Sequence, residues 1–273
     1  ASRAGASGRS ASVLGAELVA SVGDLDAGHE VRAADAGTKG SYAFTTADLP
    51  SAVAGIRALG IRGCGVSMPF KEAVIEHVDV LHRSASAIDS VNTLVNEDGV
   101  LHAHNTDYSA VADLVTAAGV DTAAPVTVTG SGGMAKAVVA ALRDSGFTDG
   151  VVAARNERTG PALADAYGYR WQSAPDPAPG SFLVNVTPIG MAGGPDADAS
   201  PFTTEAVAAA TAVMDVVAMP SETPLIRAAR AAGTPVITGA EVIALQAASQ
   251  FTLYTGITLR PEQIQRASEF SRR

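Results

Sequence analysis

After Gly119 the sequence settles into a regular alternation of short apolar runs and helix-patterned segments. Strand-like runs at 125–129, 151–155, 181–186, 212–217 and 235–237 are interleaved with helical patterns at 133–145, 158–166 and 223–232. Apolar strands without polar alternation must be buried on both faces. Helices between them bring the chain back to the same sheet edge each time, which makes the strands parallel. The pattern predicts a doubly wound parallel sheet covered by helices on both sides.

One loop in this region carries chemistry. Val126-Thr127-Val128-Thr129 runs directly into Gly130-Ser131-Gly132-Gly133-Met134-Ala135, the form G-x-G-x-x-A with a strand before it and a helix after. Gly130 permits the tight turn, Gly132 lets a pyrophosphate approach the backbone, and Ala135 lets the helix pack close to its strand. The anion would sit on unpaired N–H groups at the helix N-terminus. A plain glycine turn between strand and helix would look the same.

The end of the next strand reads Ala153-Ala154-Arg155-Asn156-Glu157-Arg158. An NAD site usually places a carboxylate here for the ribose hydroxyls, whereas Arg155 and Arg158 suit a 2′-phosphate. The expected cofactor is therefore NADP.

Upstream the pattern is weaker. Residues 1–12 read as a loose terminus and 13–22 as a short helix. Thr46 to Pro50 resembles a helix entry ahead of 51–59, and 61–67 is strand-like up to Met68-Pro69. Val74, Ile75, Val78 and Leu81 fall at helical spacing, which predicts a helix over 71–81. Runs at 91–96 and 100–104 flank Glu97-Asp98-Gly99, a hairpin signal, and a helix is expected at 108–118. Two more helical patterns, 240–254 and 261–270, close the chain. The expected organisation is two α/β domains around a cleft. One comprises 1–104 plus 238–273, and the other, 105–237, is of Rossmann type.

Composition narrows the function classes. Hydrophobic residues make up 47% and charged residues 17%, which excludes disorder from a poor core. Cys64 is the only cysteine, so no intrachain disulfide forms. A net charge of -9 disfavours nucleic acid and anionic membrane, and no apolar run reaches the 18 residues of a span. The expectation is a soluble cytoplasmic protein, monomer or homodimer, acting on a small molecule. His102 and His104 share a strand face without a third ligand at metal-site spacing, so no metal is expected. Trp171 falls in a loop on this reading.

Lys71 follows a strand end, Asn92-Thr93 opens the hairpin and Asn105-Thr106-Asp107 closes it. A lysine and an aspartate near strand termini can converge on a substrate hydroxyl, one stabilising an alkoxide and the other orienting it. The same residues also read as a surface lysine in a first helical turn and a Thr106 or Asp107 N-cap.

The ordered set of motifs resembles the shikimate dehydrogenase family. It comprises Val66-Ser67-Met68-Pro69-Phe70-Lys71-Glu72, Val91-Asn92-Thr93-Leu94, Asn105-Thr106-Asp107, the Gly130 loop, Asn185-Val186-Thr187-Pro188-Ile189-Gly190-Met191, Asp215-Val216-Val217 and 239–246. The VSMPFKE and GSGGMAKA forms are most similar to the shikimate 5-dehydrogenase-like branch. The resemblance implies Lys71 and Asp107 as a catalytic pair, with Ser67, Asn92 and Gln246 holding substrate. It implies cofactor contacts from Gly130, Ser131, Gly132, Gly133, Met134, Ala135, Arg155, Asn156, Arg158, Thr187, Met191 and Gly239, and no metal.

The family's N-terminal Ser-x-Ser has no clean counterpart, Ser7 to Ser10 being nearest. Ala218 stands where many members have tyrosine, and Glu241 and Val242 replace a usual glycine and methionine. The implied activity is NADP-dependent interconversion of a shikimate-like cyclic hydroxy acid and its 3-keto form. Quinate, another cyclic polyol acid, or a non-catalytic NADP-binding regulator remain alternatives.

Overall fold

The computed structural model describes residues 46–67 and 69–270. The expectations for 1–12, 13–22 and Ser7 to Ser10 lie outside the described residues. The chain divides into two compact units, one holding the described residues to Thr106 and from Ile243 onward, the other Asp107–Val242. Among the described residues the first half runs α1 Leu49–Ala58, β1 Gly63–Gly65, α2 Phe70–Ala73, β2 Val80–Leu81, α3 Arg83–Ser86, β3 Thr93–Glu97, β4 Val100–His104 and α4 Thr106–Ala118. The second runs β5 Val126–Thr129, α5 Gly133–Asp144, β6 Gly150–Ala153, α6 Thr159–Tyr167, β7 Arg170–Gln172, β8 Phe182–Asn185, α7 Thr204–Ala208, β9 Ala212–Asp215, α8 Pro224–Ala232, β10 Val236–Thr238, α9 Gly239–Thr255 and α10 Pro261–Phe270. Both unit boundaries fall inside helices, α4 and α9.

In the first unit, Asp48 caps α1 by accepting from the Ser51 amide at 3.0 Å. The helix buries Val53 and Ile56 against Val74, Val91, Leu94 and Leu101. The sheet has the order β1-β3-β4-β2. Asp98 and Gly99 both have positive φ, +52° and +89°, as a two-residue type I′ loop requires, and Glu97 pairs with Val100 across it.

The expected helix over 71–81 is wrong. The chain makes α2, a 3₁₀ turn over Val74–His77 and then extends at Val78 into β2, which pairs parallel with β4. Tertiary contacts override the local periodicity. The Arg57 guanidinium donates to the His77 carbonyl at 3.1 Å and to Asp79 Oδ2 at 2.8 Å. Asp79 in turn accepts from the Leu101 amide at 2.7 Å, drawing the segment onto the sheet edge.

The later part of α9 belongs to this unit. Arg62 donates to the carbonyls of Leu253 and Tyr254, and Gln250 Nε2 donates to Thr93 Oγ1 at 3.0 Å. Ala247 and Phe251 of α9 form a second apolar cluster with Leu259 and with Ala267 of α10.

The second unit is a six-stranded sheet, all parallel, in the order β10-β9-β8-β5-β6-β7. Val126, Val128, Val152, Phe182, Leu183, Val184, Val213 and Met214 lie in β5, β6, β8 and β9, every residue of which is buried. β7 went unseen in the sequence, and Trp171 lies within it rather than in a loop. The chain direction across the sheet reverses between β5 and β8, and ligands of such sheets bind outside the carboxyl ends at that reversal. The pairing registers align those ends in one row: Gln172, Ala153, Thr129, Asn185, Asp215 and Thr238.

Candidate functional site

Gly130 leaves β5 with a φ of +106°, a left-handed conformation that a side chain would strain. A Cβ there would also meet Val186 and Thr187 side-chain atoms at 3.1 Å, so the turn sits against the segment leaving β8. Its amide donates to the Ala153 carbonyl at 2.8 Å, joining the ends of β5 and β6. Gly132 differs: no heavy atom lies within 4 Å of where its Cβ would be. Packing does not require that glycine. It leaves open space directly before α5, where Gly133 and Met134 start the helix and backbone N–H groups are unpaired. Ala135 is fully buried, as close packing of the helix on the sheet requires.

Ser131 Oγ lies 2.7 Å from Thr159 Oγ1, tying the glycine loop to the start of α6. Asn156 Oδ1 accepts from the amides of Arg158 and Thr159, both at 3.0 Å, and so shapes the turn after β6. Arg155 and Arg158 are exposed on that turn, and their side chains have no ion pair or hydrogen bond among the described residues. An open glycine, a helix N-terminus and two uncommitted guanidinium groups on the neighbouring strand end fit a dinucleotide carrying a 2′-phosphate.

A buried polar network fixes the loops beyond β8 and β9. Asn185 Oδ1 accepts from Thr129 Oγ1 at 3.0 Å, the Thr187 amide at 3.0 Å and Thr187 Oγ1 at 2.7 Å. Its Nδ2 donates to Asp215 Oδ1 at 3.0 Å and to the Ile189 carbonyl at 3.2 Å. Asp215 also accepts from the Val217 amide at 3.0 Å and from Thr223 Oγ1 at 2.7 Å. Burial pushes the Asp215 carboxyl above its usual range, and these three donors oppose that shift.

The network holds Thr187 and the turn to Met191, which is exposed, at the carboxyl edge. Gly239, first residue of α9, sits so close to the segment after β9 that a Cβ would lie 2.4 Å from the Val217 carbonyl oxygen. The roles of Asp215 and Thr223 were not legible in the sequence beyond the Asp215-Val216-Val217 match.

In the first unit, main-chain hydrogen bonds gather the expected substrate residues. The Val66 amide donates to the Asn92 carbonyl and the Val91 amide to the Lys71 carbonyl, each at 2.8 Å. The Phe70 amide donates to the Ser67 carbonyl at 2.9 Å. Ser67, Lys71 and Asn92 therefore lie on three adjoining stretches of backbone.

The cap at the start of α4 is supplied from a distance. Asn92 Oδ1 accepts from the Thr106 amide, one of the helix's first N–H groups, at 2.8 Å. Asn92 Nδ2 donates to Thr106 Oγ1 at 3.1 Å, and its second N–H has no partner among the described residues. Gln246 is 8% exposed, and its amide has no hydrogen bond among the described residues. Gln250, one turn further along α9, is the residue that grips Thr93. Asp107, second residue of α4, belongs to the other unit.

His82, following β2, supplies the third histidine that sequence spacing could not show. Its ring stacks on His104 with centroids 4.0 Å apart, and its Nε2 lies 3.1 Å from His102 Nδ1. Burial and the neighbouring histidines push His104 down to about 4. No group of three or more His, Cys, Asp or Glu among the described residues is arranged to hold a metal ion. No described helix is long and apolar enough to cross a membrane.

A family model described as the shikimate dehydrogenase substrate binding domain matches residues 27–94. A shikimate dehydrogenase-like protein of Haemophilus influenzae is 50% identical over 230 residues, covering 84% of this chain and 85% of that one. The shikimate dehydrogenase (NADP(+)) of Moorella thermoacetica is 35% identical over 222 residues, covering 77% and 75%. The crystal structure of a Thermus thermophilus shikimate 5-dehydrogenase, in complex with NADP(H) and shikimate, matches with a TM-score of 0.76 at 29% identity, covering 96% of this chain and 95% of that one. Two units built in this way, with these motifs in this order, mark the chain as a member of the shikimate dehydrogenase family.

Proposed function

We propose that the protein is an NADP-dependent dehydrogenase that interconverts a ring hydroxyl of a shikimate-like alicyclic hydroxy acid and the corresponding ketone. The observation that carries this reading is the open cradle at Gly132, set before a helix N-terminus beside the uncommitted Arg155 and Arg158. The NADP and shikimate held by the Thermus relative support it. On this reading 105–237 binds NADP, and 1–104 with 238–273 binds substrate. The expected setting is the cytoplasm, as a monomer or homodimer.

Bound NADP supplies the hydride acceptor. Gly130 to Ala135 receive the pyrophosphate, Arg155, Asn156 and Arg158 hold the adenosine end, and Thr187, Met191 and Gly239 border the nicotinamide end. Lys71 Nζ holds and moves the proton of the reacting hydroxyl, and the Asp107 carboxylate orients it. In its protonated form Lys71 also stabilises the alkoxide. The unpartnered N–H of Asn92 and the Gln246 amide donate to ring hydroxyls, and Ser67 reaches the carboxylate.

The test is NADP reduction, followed by absorbance, across shikimate, quinate and related cyclic polyols and hydroxy acids. Turnover with shikimate or a close relative is the expected result. Tight NADP binding without turnover of any compound would instead identify a non-catalytic NADP-binding regulator.

A further inference from the structure

The row of residues at the carboxyl ends of the second unit's strands contains five polar side chains, and four of them are fully engaged. Thr129, Asn185 and Asp215 bond to one another, and Thr238 Oγ1 donates to Glu241 Oε2 at 2.7 Å. The fifth, Gln172 at the end of β7, forms no side-chain hydrogen bond among the described residues. Its Oε1 is shut off from solvent with no partner, a state that native proteins seldom leave uncompensated.

The strand end that carries Gln172 is held firmly. Its carbonyl accepts from the Ala154 amide at 2.9 Å, one residue before Arg155. Its neighbour Trp171, directed to the other face, donates from Nε1 to the Ala154 carbonyl at 3.0 Å and fills the space above Gly160. A rigid backbone thus presents an uncommitted amide beside the turn that bears Arg155 and Arg158.

The chemistry of the cofactor specifies what stands there. The 2′-phosphate of NADP is carried on the adenosine ribose, and adenine is attached to that same ribose. Holding the phosphate at Arg155 and Arg158 therefore brings the adenine within one sugar of this strand end. A side-chain amide offers an acceptor and a donor side by side, the complement of adenine's exocyclic amine and an adjacent ring nitrogen.

We propose that Gln172 is the adenine-reading residue of the cofactor site, its carbonyl oxygen accepting from the 6-amine and its N–H donating to a ring nitrogen. Rotation about its side-chain torsions carries the oxygen out of its unpaired position to the ligand. The proposal rests on the NADP reading and adds which end of the cofactor is read by shape and hydrogen bonding rather than by charge.

Calorimetry of the intact protein tests it with two probes, NADP and the analogue in which hydrogen replaces the adenine 6-amine. The parent is expected to bind NADP about tenfold more tightly than the analogue. Gln172→Ala should lose about tenfold more for NADP than for the analogue, which keeps only the bond at the ring nitrogen, erasing the preference. Gln172→Met, which keeps the volume, should do the same if the alanine variant is poorly folded. Equal binding of both probes by the parent, or equal losses for both in the variants, overturns the proposal and leaves the NADP reading standing. A parent that binds neither probe overturns both.

Discussion

Adding one methyl group at Gly239 should be among the most damaging small changes available in the second unit. The new Cβ would lie 2.4 Å from the Val217 carbonyl oxygen, 2.5 Å from its carbon and 2.6 Å from the Val216 carbonyl carbon. Carbon–oxygen contacts settle near about 3.3 Å, so the backbones must part by roughly 1 Å. That backbone has little freedom, because the Val216 amide bonds to the Asn185 carbonyl and the Val217 amide to Asp215 Oδ1, both at 3.0 Å.

Overpacking costs about 1–3 kcal/mol, and losing a hydrogen bond to a charged group about 1.5–3 kcal/mol. The better helix propensity of alanine returns at most about 1 kcal/mol. A net loss of about 1.5–5 kcal/mol corresponds to a fall in Tm of roughly 3–20 °C for a protein of this size. Melts followed by circular dichroism read this directly, with Gly132→Ala as the control because nothing lies within 4 Å of its Cβ. A Gly239→Ala variant melting within about 1 °C of the parent would show that the contact yields, contrary to this reasoning.

Lys71→Ala and Lys71→Met should each lower turnover about a hundredfold or more, with NADP affinity and Tm nearly unchanged; turnover within about threefold of the parent removes Lys71 from the mechanism. Replacing Arg155 and Arg158 together by alanine should weaken NADP far more than NAD, by tenfold to a hundredfold for each charge-assisted contact of about 1.5–3 kcal/mol lost. Equal losses in calorimetry would show that the arginines do not read the phosphate. His104 sits at about 4 in the fold against an ordinary 6.5, so the unfolded chain binds more protons between those values. Stability should therefore fall as pH drops from 6.5 toward 4, and His104→Gln should flatten that slope in urea midpoints; an unchanged slope assigns the acid sensitivity elsewhere.

The second unit was readable because its strands are buried on both faces, so Val126-Thr127-Val128 and Phe182-Leu183-Val184 stand out as apolar runs wherever they lie. β7 has no such run: Arg170 and Gln172 flank a single Trp171, and only pairing with β6 makes it a strand. The segment after Lys71 misled for the opposite reason. Its helical spacing is real, but Arg57 and Asp79, remote in sequence from Leu101, turn it into an edge strand. Candidate site residues tied to a local motif, such as Gly130, Asn92 and Lys71, could be proposed from sequence. Those defined by what they touch could not. Gln250 matters through Thr93, His82 through the register of β2 on β4, and Asp215 through Asn185 and Thr223.

Cys64 has a practical consequence. It sits in β1, packed against the first unit's core, and burial pushes its thiol up to about 11. Little of it is thiolate at pH 7, the form that reacts with maleimides and iodoacetamides. Since the sequence has no other cysteine, the native chain is close to silent toward thiol reagents. A cysteine introduced on the surface of either unit would be the dominant labelling site, and a dye or spin label could be attached there without first removing the native residue.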